Sequence, residues 1–256
     1  GEQNGWECGV FGEDVREAAV PASYNEQFND LYNFHGKAWY SKEVFIPLSY
    51  AAKAIYLRFG NVAGKAKVWV NGFEVGGHVG TALPFECEIS AVAKLGQKNL
   101  IVVQADSTLD IWSLPPAAAN ITEGSIGFFG SYPPVAYDFF PYGGIQRSVF
   151  LYTCPKTRIE DITIRTELVE SAARVVFDVE LTDSAQGELV ATTDGKDLVI
   201  SVNGDKVHGE FMIESPRLWD IGQPELYDLE FVLKTTSGEI DSYTQTYGIR
   251  EARVEG

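Results

Sequence analysis

Lys67-Val68-Trp69-Val70-Asn71-Gly72-Phe73-Glu74-Val75 reads as a β-hairpin. Apolar runs alternate on both sides of Asn71-Gly72, and a type I′ turn needs positive φ at both of its central residues, which Asn-Gly supplies. The pattern extends outward from there. Trp39 to Ile46 alternates, with Lys42 and Glu43 interleaved, and stops at Pro47; Ala54 to Phe59 sets Ile55, Leu57 and Phe59 against Tyr56 and Arg58. Pro84 to Ile89 and Asn99 to Ala105 add two strands, and Val149, Leu151 and Thr153 alternate with Ser148, Phe150 and Tyr152 in another. No long segment before Tyr152 has helical periodicity, which predicts an antiparallel β-sandwich.

After Cys154-Pro155 the pattern restarts at Arg158 to Val169, Arg174 to Leu181, Gly187 to Thr193, Asp197 to Val202, Glu225 to Thr235 and Tyr243 to Val254. Roughly seven short strands in about a hundred residues fit an immunoglobulin-like sandwich. Turns are expected at Asn203-Gly204 and Ser237-Gly238. The expected division is therefore an all-β chain with one sandwich over 1–154 and a second over 155–256.

The 256 residues are 45% hydrophobic and 12% aromatic, enough for one large core or two ordinary ones. No apolar run reaches the ~20 residues that span a bilayer, and residues 1–9 lack the basic-then-apolar order of a signal peptide. The expectation is a soluble body already stripped of any leader, with no membrane partner. A net charge of -16 repels phosphate backbones, so no nucleic-acid partner is expected.

Cys8, Cys87 and Cys154 form no CxxC and have no histidine at metal-ligand spacing, so no metal site is expected. Cys87 alternates with Phe85 and Ile89 as a small buried hydrophobe; a disulfide between two of the three stays open. Asn120-Ile121-Thr122 is an N-glycosylation sequon, making Asn120 a glycosylation candidate and agreeing with a secreted or lysosome-like (vacuolar) compartment. His35, His78 and His208 are far apart, and no GxSxG, HExxH, P-loop or dinucleotide fingerprint is present, so no cofactor is expected. Trp39 and Trp69 sit at strand positions and read as core or interface aromatics, whereas Trp112 lies in an irregular stretch. Glycoside hydrolysis needs two carboxyl groups across the scissile bond, but with 36 acidic residues counting them decides nothing.

The irregular stretch between Ala105 and Asp138 is long, and such connections are more often functional than idle. It runs into Asp138-Phe139-Phe140-Pro141-Tyr142-Gly143-Gly144-Ile145-Gln146-Arg147-Ser148-Val149. Two adjacent glycines suit positive φ or close approach by another segment, and Pro141 stiffens the way in. A carboxylate beside two phenylalanines needs a partner. On the residues alone, Asp138 caps the turn, pairs with Arg147 or faces a ligand, and structural ion pairs are commoner than sites.

Taken together, these motifs resemble the β-glucuronidases of glycoside hydrolase family 2 along nearly the whole chain. Val20-Pro21-Ala22-Ser23-Tyr24-Asn25-Glu26-Gln27-Phe28 resembles the family's VP-small-SFND-x-F opening, Trp39 to Pro47 its WY-x-REVFIP strand, Lys67 to Asn71 its KVWVN hairpin, and Leu83 to Glu86 the segment that ends in PFEAD. Asp138 to Pro155 is similar to DFFNYAGI-x-RSV-x-LYTTP and is followed by Asp161-Ile162-Thr163; Leu218-Trp219, Leu226-Tyr227 and Tyr247-Gly248-Ile249-Arg250 resemble motifs of the second sandwich. Pro141 stands where the family often has Asn, Gly143 where it has Ala and Cys154 where it has Thr, and the family's early GLW-x-F strand is not found before Trp6.

The resemblance implies a jelly-roll sugar-binding domain and an immunoglobulin-like domain preceding a TIM barrel, which alone would need ~250 residues. The catalytic glutamates belong to that barrel, so no catalytic residue is expected within these 256, and Asn25-Glu26 matches SFND rather than a catalytic pair. Asp138 matches the aspartate that reaches from the jelly roll to hydrogen-bond the sugar. The implied partners are a glucuronide substrate, the barrel and, in the intact enzyme, further copies in a homo-oligomer. Family 2 β-galactosidases and β-mannosidases share both sandwiches, and a free-standing lectin-like protein or an adhesion module are readings from other classes.

Overall fold

The computed structural model describes residues 5–9, 11–12, 15–109, 112 and 142–251. The chain divides into two compact units, Gly1–Thr153 and Cys154–Gly256. Among the described residues the only α-helix is one turn, α1 (Tyr24–Gln27), and nearly everything else regular is strand.

The strands of the first unit are β1 (Lys37–Ile46), β2 (Ala54–Phe59), β3 (Lys65–Val70), β4 (Phe73–Val79), β5 (Phe85–Glu88), β6 (Gln97–Asp106) and β7 (Val149–Cys154). They make two sheets, ordered β1-β6-β3-β4 and β5-β2-β7. All pairings with a determined register are antiparallel, and residues of both sheets meet in one core that includes Ile46, Leu57, Phe59, Val68, Val70, Phe85 and Val103. This is the expected jelly-roll sandwich. Phe59 stacks on Phe85 with ring centroids 4.9 Å apart, and full burial of such a side chain stabilises the fold by about 1.5–3 kcal/mol. The hairpin forms as the sequence dictates: Asn71 has φ 53°, Gly72 φ 86°, and Val70 lies opposite Phe73. Cys87 is 2% exposed in this core, and none of Cys8, Cys87 and Cys154 is in a disulfide.

The second unit contains β8 (Ile159–Val169), β9 (Ala172–Thr193), β10 (Lys196–Glu214), β11 (Trp219–Asp220), β12 (Gln223–Pro224), β13 (Tyr227–Thr235) and β14 (Ile240–Tyr247). Its core gathers Val175, Phe177, Val179, Leu189, Phe211, Leu229 and Phe231, each buried. β9 and β10 form one long ribbon. Its distal half, Ala172–Leu181 against Lys206–Glu214, pairs with β8; its proximal half, Gly187–Thr193 against Lys196–Gly204, pairs with β13. Phe177 from the first half meets Phe231 of β13 at 5.2 Å, edge to face, so the ribbon folds over one core as an immunoglobulin-like sandwich.

Three expectations for this unit are corrected. Asn203-Gly204 is not a hairpin turn: both residues stay in β10, where the register slips between Gly204 and Lys206 as the ribbon bends. The hairpin turn is Asp194-Gly195, with φ 50° and 71°, between the paired Thr193 and Lys196. The segments Arg174–Leu181 and Gly187–Thr193 are one strand, and Lys206–Glu214 is an unanticipated half-strand. Val207, Gly209, Phe211 and Ile213 face inward there. Gly209 hides the alternation because it has no side chain, and a methyl group on it would come 2.3 Å from Phe177 Cζ. The turn at Ser237-Gly238 is where it is expected, with Gly238 N donating to Thr235 O.

Candidate functional site

Of the sequence-predicted site residues, Asp138 and Asn120 lie outside the described residues, as does Pro141. The structure describes residues on either side of Asp138 in sequence, among them Ser107 just after β6 and Tyr142 to Ser148 leading into β7.

Both glycines answer a steric need. A methyl group on Gly143 would come 2.0 Å from Tyr24 Oη, and Gly144 has φ 113° with its methyl position 2.9 Å from Tyr40 Oη. Gly143 thus serves close approach and Gly144 serves a left-handed backbone. The segment is then fastened on all sides. Gly143 N donates to Asn25 Oδ1 at 2.8 Å, Ala22 N to Ile145 O at 3.0 Å, Ala63 N to Gly144 O at 2.9 Å and Gly60 N to Ser148 O at 3.0 Å. Gln146 Nε2 closes the bend onto Tyr142 O at 2.6 Å.

Tyr24 and Asn25 were not singled out by the sequence for this work. Ser23 Oγ caps α1 by accepting from Asn25 N at 3.1 Å. Asn25 is 1% exposed, and its Nδ2 donates to Leu31 O at 2.8 Å and Phe34 O at 2.9 Å, with Tyr32 O at 3.3 Å. Tyr24 Oη lies 2.5 Å from Ser107 Oγ, which in turn accepts from Gly36 N at 3.1 Å. The only signal in the sequence was the SFND-like block itself.

Burial pushes the Tyr24 and Tyr40 phenols up to about 12 and the Cys87 thiol up to about 11, from ordinary values of 10.0 and 9.0. A raised folded-state value favours the protonated, folded form, so this stability is complete below about pH 9 and is lost as pH climbs toward 12. Thermal melts of the chain followed by circular dichroism are expected to be level from pH 7 to 8.5 and to fall steadily above pH 9.5; a flat profile to pH 11 contradicts the assignment.

The histidines do not converge on a nucleophile among the described residues. His78 stacks on Phe85 at 5.0 Å, His208 Nδ1 lies 2.8 Å from Asp178 Oδ1 on the surface, and burial lowers the His35 pKa. Trp69 is buried and stacks on Trp39 at 5.3 Å, with Trp6 edge-on to Trp39 at 5.8 Å, consistent with core aromatics. Trp112 is exposed. In the second unit the quoted motifs meet: Trp219 N donates to Ile249 O at 2.9 Å, the Arg250 guanidinium lies 4.8 Å from the Trp219 ring, and Tyr227 stacks on Tyr247 at 5.6 Å. Among the described residues no three metal-ligating side chains gather, and no helix is long and apolar enough to cross a membrane.

Residues 3–155 match the family model described as "Glycosyl hydrolases family 2, sugar binding domain". The chain belongs to glycosyl hydrolase family 2. A second family 2 model, "Glycosyl hydrolases family 2", matches residues 157–250. Family 2 relatives named β-glucuronidase include that of Paenibacillus borealis, 33% identical over 95% of this chain and 41% of its own length, and that of Homo sapiens, 33% identical over 97% of this chain and 40% of its own. Among solved family 2 structures, Ruminococcus gnavus β-glucuronidase superposes with a TM-score of 0.77 at 30% identity, covering 100% of this chain and 42% of that one. The same R. gnavus enzyme in complex with D-glucuronic acid gives a TM-score of 0.76. The chain thus spans about two fifths of the length of the family 2 relatives it matches.

Proposed function

We propose that these residues are the front portion of a retaining β-glucuronidase that hydrolyses β-D-glucuronides, and that Asp138 contacts the sugar. The observation that carries the reading is its continuity: relatives named β-glucuronidase align along 92–97% of the chain at 30–33% identity, through both sandwiches. The anchoring of Tyr142–Ser148 supports it further, because an aspartate that reads sugar hydroxyls needs a rigid base, and a misplacement of about 1 Å costs roughly a hundredfold in rate. On this reading the chain supplies scaffold, subunit contacts of a homo-oligomer and one pocket residue. The two carboxyl groups of the retaining mechanism come from a barrel that follows, and the sandwiches alone hydrolyse nothing.

In the intact enzyme, Asp138→Ala is expected to lower kcat/KM for an aryl glucuronide about 10- to 100-fold, since a hydrogen bond to a charged group contributes about 1.5–3 kcal/mol and 1.4 kcal/mol is a factor of ten. Undiminished kcat/KM sinks the role of Asp138. Turnover of the same substrate by the pure 256-residue chain refutes the need for a barrel. Micromolar binding of glucuronate to that chain in a calorimeter favours the lectin-like reading instead.

A further inference from the structure

β10 stands at one end of the strand order β10-β9-β13-β14, and no described strand pairs with its other edge. Over Lys196–Gly204 its pairing with β9 is regular, from the Asp194-Gly195 turn to the register slip. Thr193 and Lys196 flank that two-residue turn, a position where two residues exchange both backbone hydrogen bonds, and such pairs alternate along an antiparallel ladder. Lys196, Leu198, Ile200 and Val202 therefore turn their N–H and C=O groups toward β9. Asp197, Val199, Ser201 and Asn203 turn theirs to the open edge. Thr236 N donates to Gln186 O at 2.8 Å, so Gln186, opposite Asn203, faces away from β10 as the alternation requires.

An unpaired edge is ordinarily blunted by charge, proline, a bulge or short length. This one has Lys196 and Asp197 at one end and the slip at the other, but Leu198-Val199-Ile200-Ser201-Val202 between them carries no charge and no proline. Val199 is exposed, and Leu198 and Ile200 pack on the core yet stay half-buried, with no neighbouring strand of the unit on their open side.

The segment is complementary to itself. When a second copy runs antiparallel about Ile200, Ile200 meets its own equivalent, Leu198 meets Val202, Val199 meets Ser201 and Asp197 meets Asn203, so that the whole of Lys196–Gly204 is paired. Leu198, Ile200 and Val202 of each copy then cover the open side of the other's core. Charge selects this register. One step toward the slip sets Asp197 against Asp205 and Lys196 against Lys206, and like charges directly opposite are destabilising; one step toward the turn shortens the ladder.

We infer that this edge is a contact between two copies of the chain, joined antiparallel through Lys196–Gly204 into one continuous sheet. It is one of the subunit contacts proposed above, but it is tested without enzymatic activity and can fail while that reading stands.

Sedimentation equilibrium of the 256-residue chain, from micromolar to submillimolar concentration, is expected to show the average mass rising from one chain toward two. Val199→Pro removes an N–H that faces only the open edge, where proline is tolerated; it is expected to keep the far-UV circular dichroism and leave the chain monomeric. Two further variants read the register. Asn203→Lys sets a positive charge opposite Asp197 of the second copy, twice per dimer, and is expected to tighten the dimer about two- to thirtyfold, whereas Asn203→Asp weakens it by as much. Thr244→Lys and Thr244→Asp, exposed on β14, change the net charge equally and are expected to leave the dissociation constant within twofold. A chain that stays monomeric at every concentration overturns the inference, as does a dimer that persists in folded Val199→Pro. Equal shifts at Asn203 and Thr244, or shifts of one sign for both charges at Asn203, overturn it too. Should Val199→Pro unfold, the Asn203 variants decide.

Discussion

Replacing Gly143 by alanine is expected to destabilise the first unit by about 2–4 kcal/mol, the sum of an overpacking strain of roughly 1–3 kcal/mol and a weakened hydrogen bond of about 1 kcal/mol. The new methyl group would sit 2.0 Å from Tyr24 Oη, 2.4 Å from Cζ and 2.7 Å from Cε1. Something must move, and the Gly143–Asn25 and Tyr24–Ser107 bonds are what hold those atoms in place. The resemblance drawn from the sequence gains a physical meaning here. The motifs that the chain resembles carry Phe and Ala at the positions of Tyr24 and Gly143, a pair without the phenol oxygen that a methyl group on Gly143 would meet here. Tyr24→Phe alone is expected to cost about 1 kcal/mol. Combined with Gly143→Ala it relieves the closest of the three contacts and leaves a small ring shift to relieve the others. Urea unfolding of the four chains of this double-mutant cycle should therefore give a coupling of at least about 1 kcal/mol, in the range for residues in contact. Strict additivity contradicts the matched-pair account.

The second large effect belongs to the other unit. Phe231 has no exposed surface and packs edge to face on Phe177. Phe231→Ala is expected to cost about 3–5 kcal/mol, as for other buried Phe→Ala changes. For about a hundred residues this lowers the melting temperature by roughly 12 °C or more. Val199→Ala, on a side chain 60% exposed in the same unit, should stay within about 0.5 kcal/mol. Calorimetry of the two variants separates core from surface, and a Phe231→Ala loss under 1 kcal/mol removes Phe231 from the centre of that core.

How much of this was legible in the residues follows from what each signal measures. The Asn71-Gly72 turn and the first-unit strands could be read because positive φ and period-two burial are local properties. Asp194-Gly195 carries the same chemistry as Asn71-Gly72, yet Asn203-Gly204 looked equally good nine residues on. Only the pairing of Lys196 with Thr193 decides between them. Lys206–Glu214 escaped because its inward Gly209 offers no apolar mark; it is glycine on account of Phe177, more than thirty residues away in the chain. The twin glycines announced a constraint without saying which. The agents, Tyr24 and Tyr40, lie over a hundred residues upstream, and no periodicity connects them. Asn25 is the extreme case: its role is the set of backbone groups around one carboxamide, which sequence spacing cannot encode.

The register slip in the β9–β10 ribbon has a practical consequence. Gly204 faces Ala185 and Lys206 faces Glu180, while Leu181 pairs with Ile159 and Thr182 N donates to Arg158 O, so Asp183 and Ser184 are the residues outside the ladders. Elsewhere along this ribbon, one added residue turns every following side chain to the wrong face. At the slip there is no pairing to displace, and Asp183 and Ser184 are exposed. That makes 183–184 the place where the second unit can absorb a change of length, and the natural point at which to splice in a tag or a fluorophore without rewriting the core.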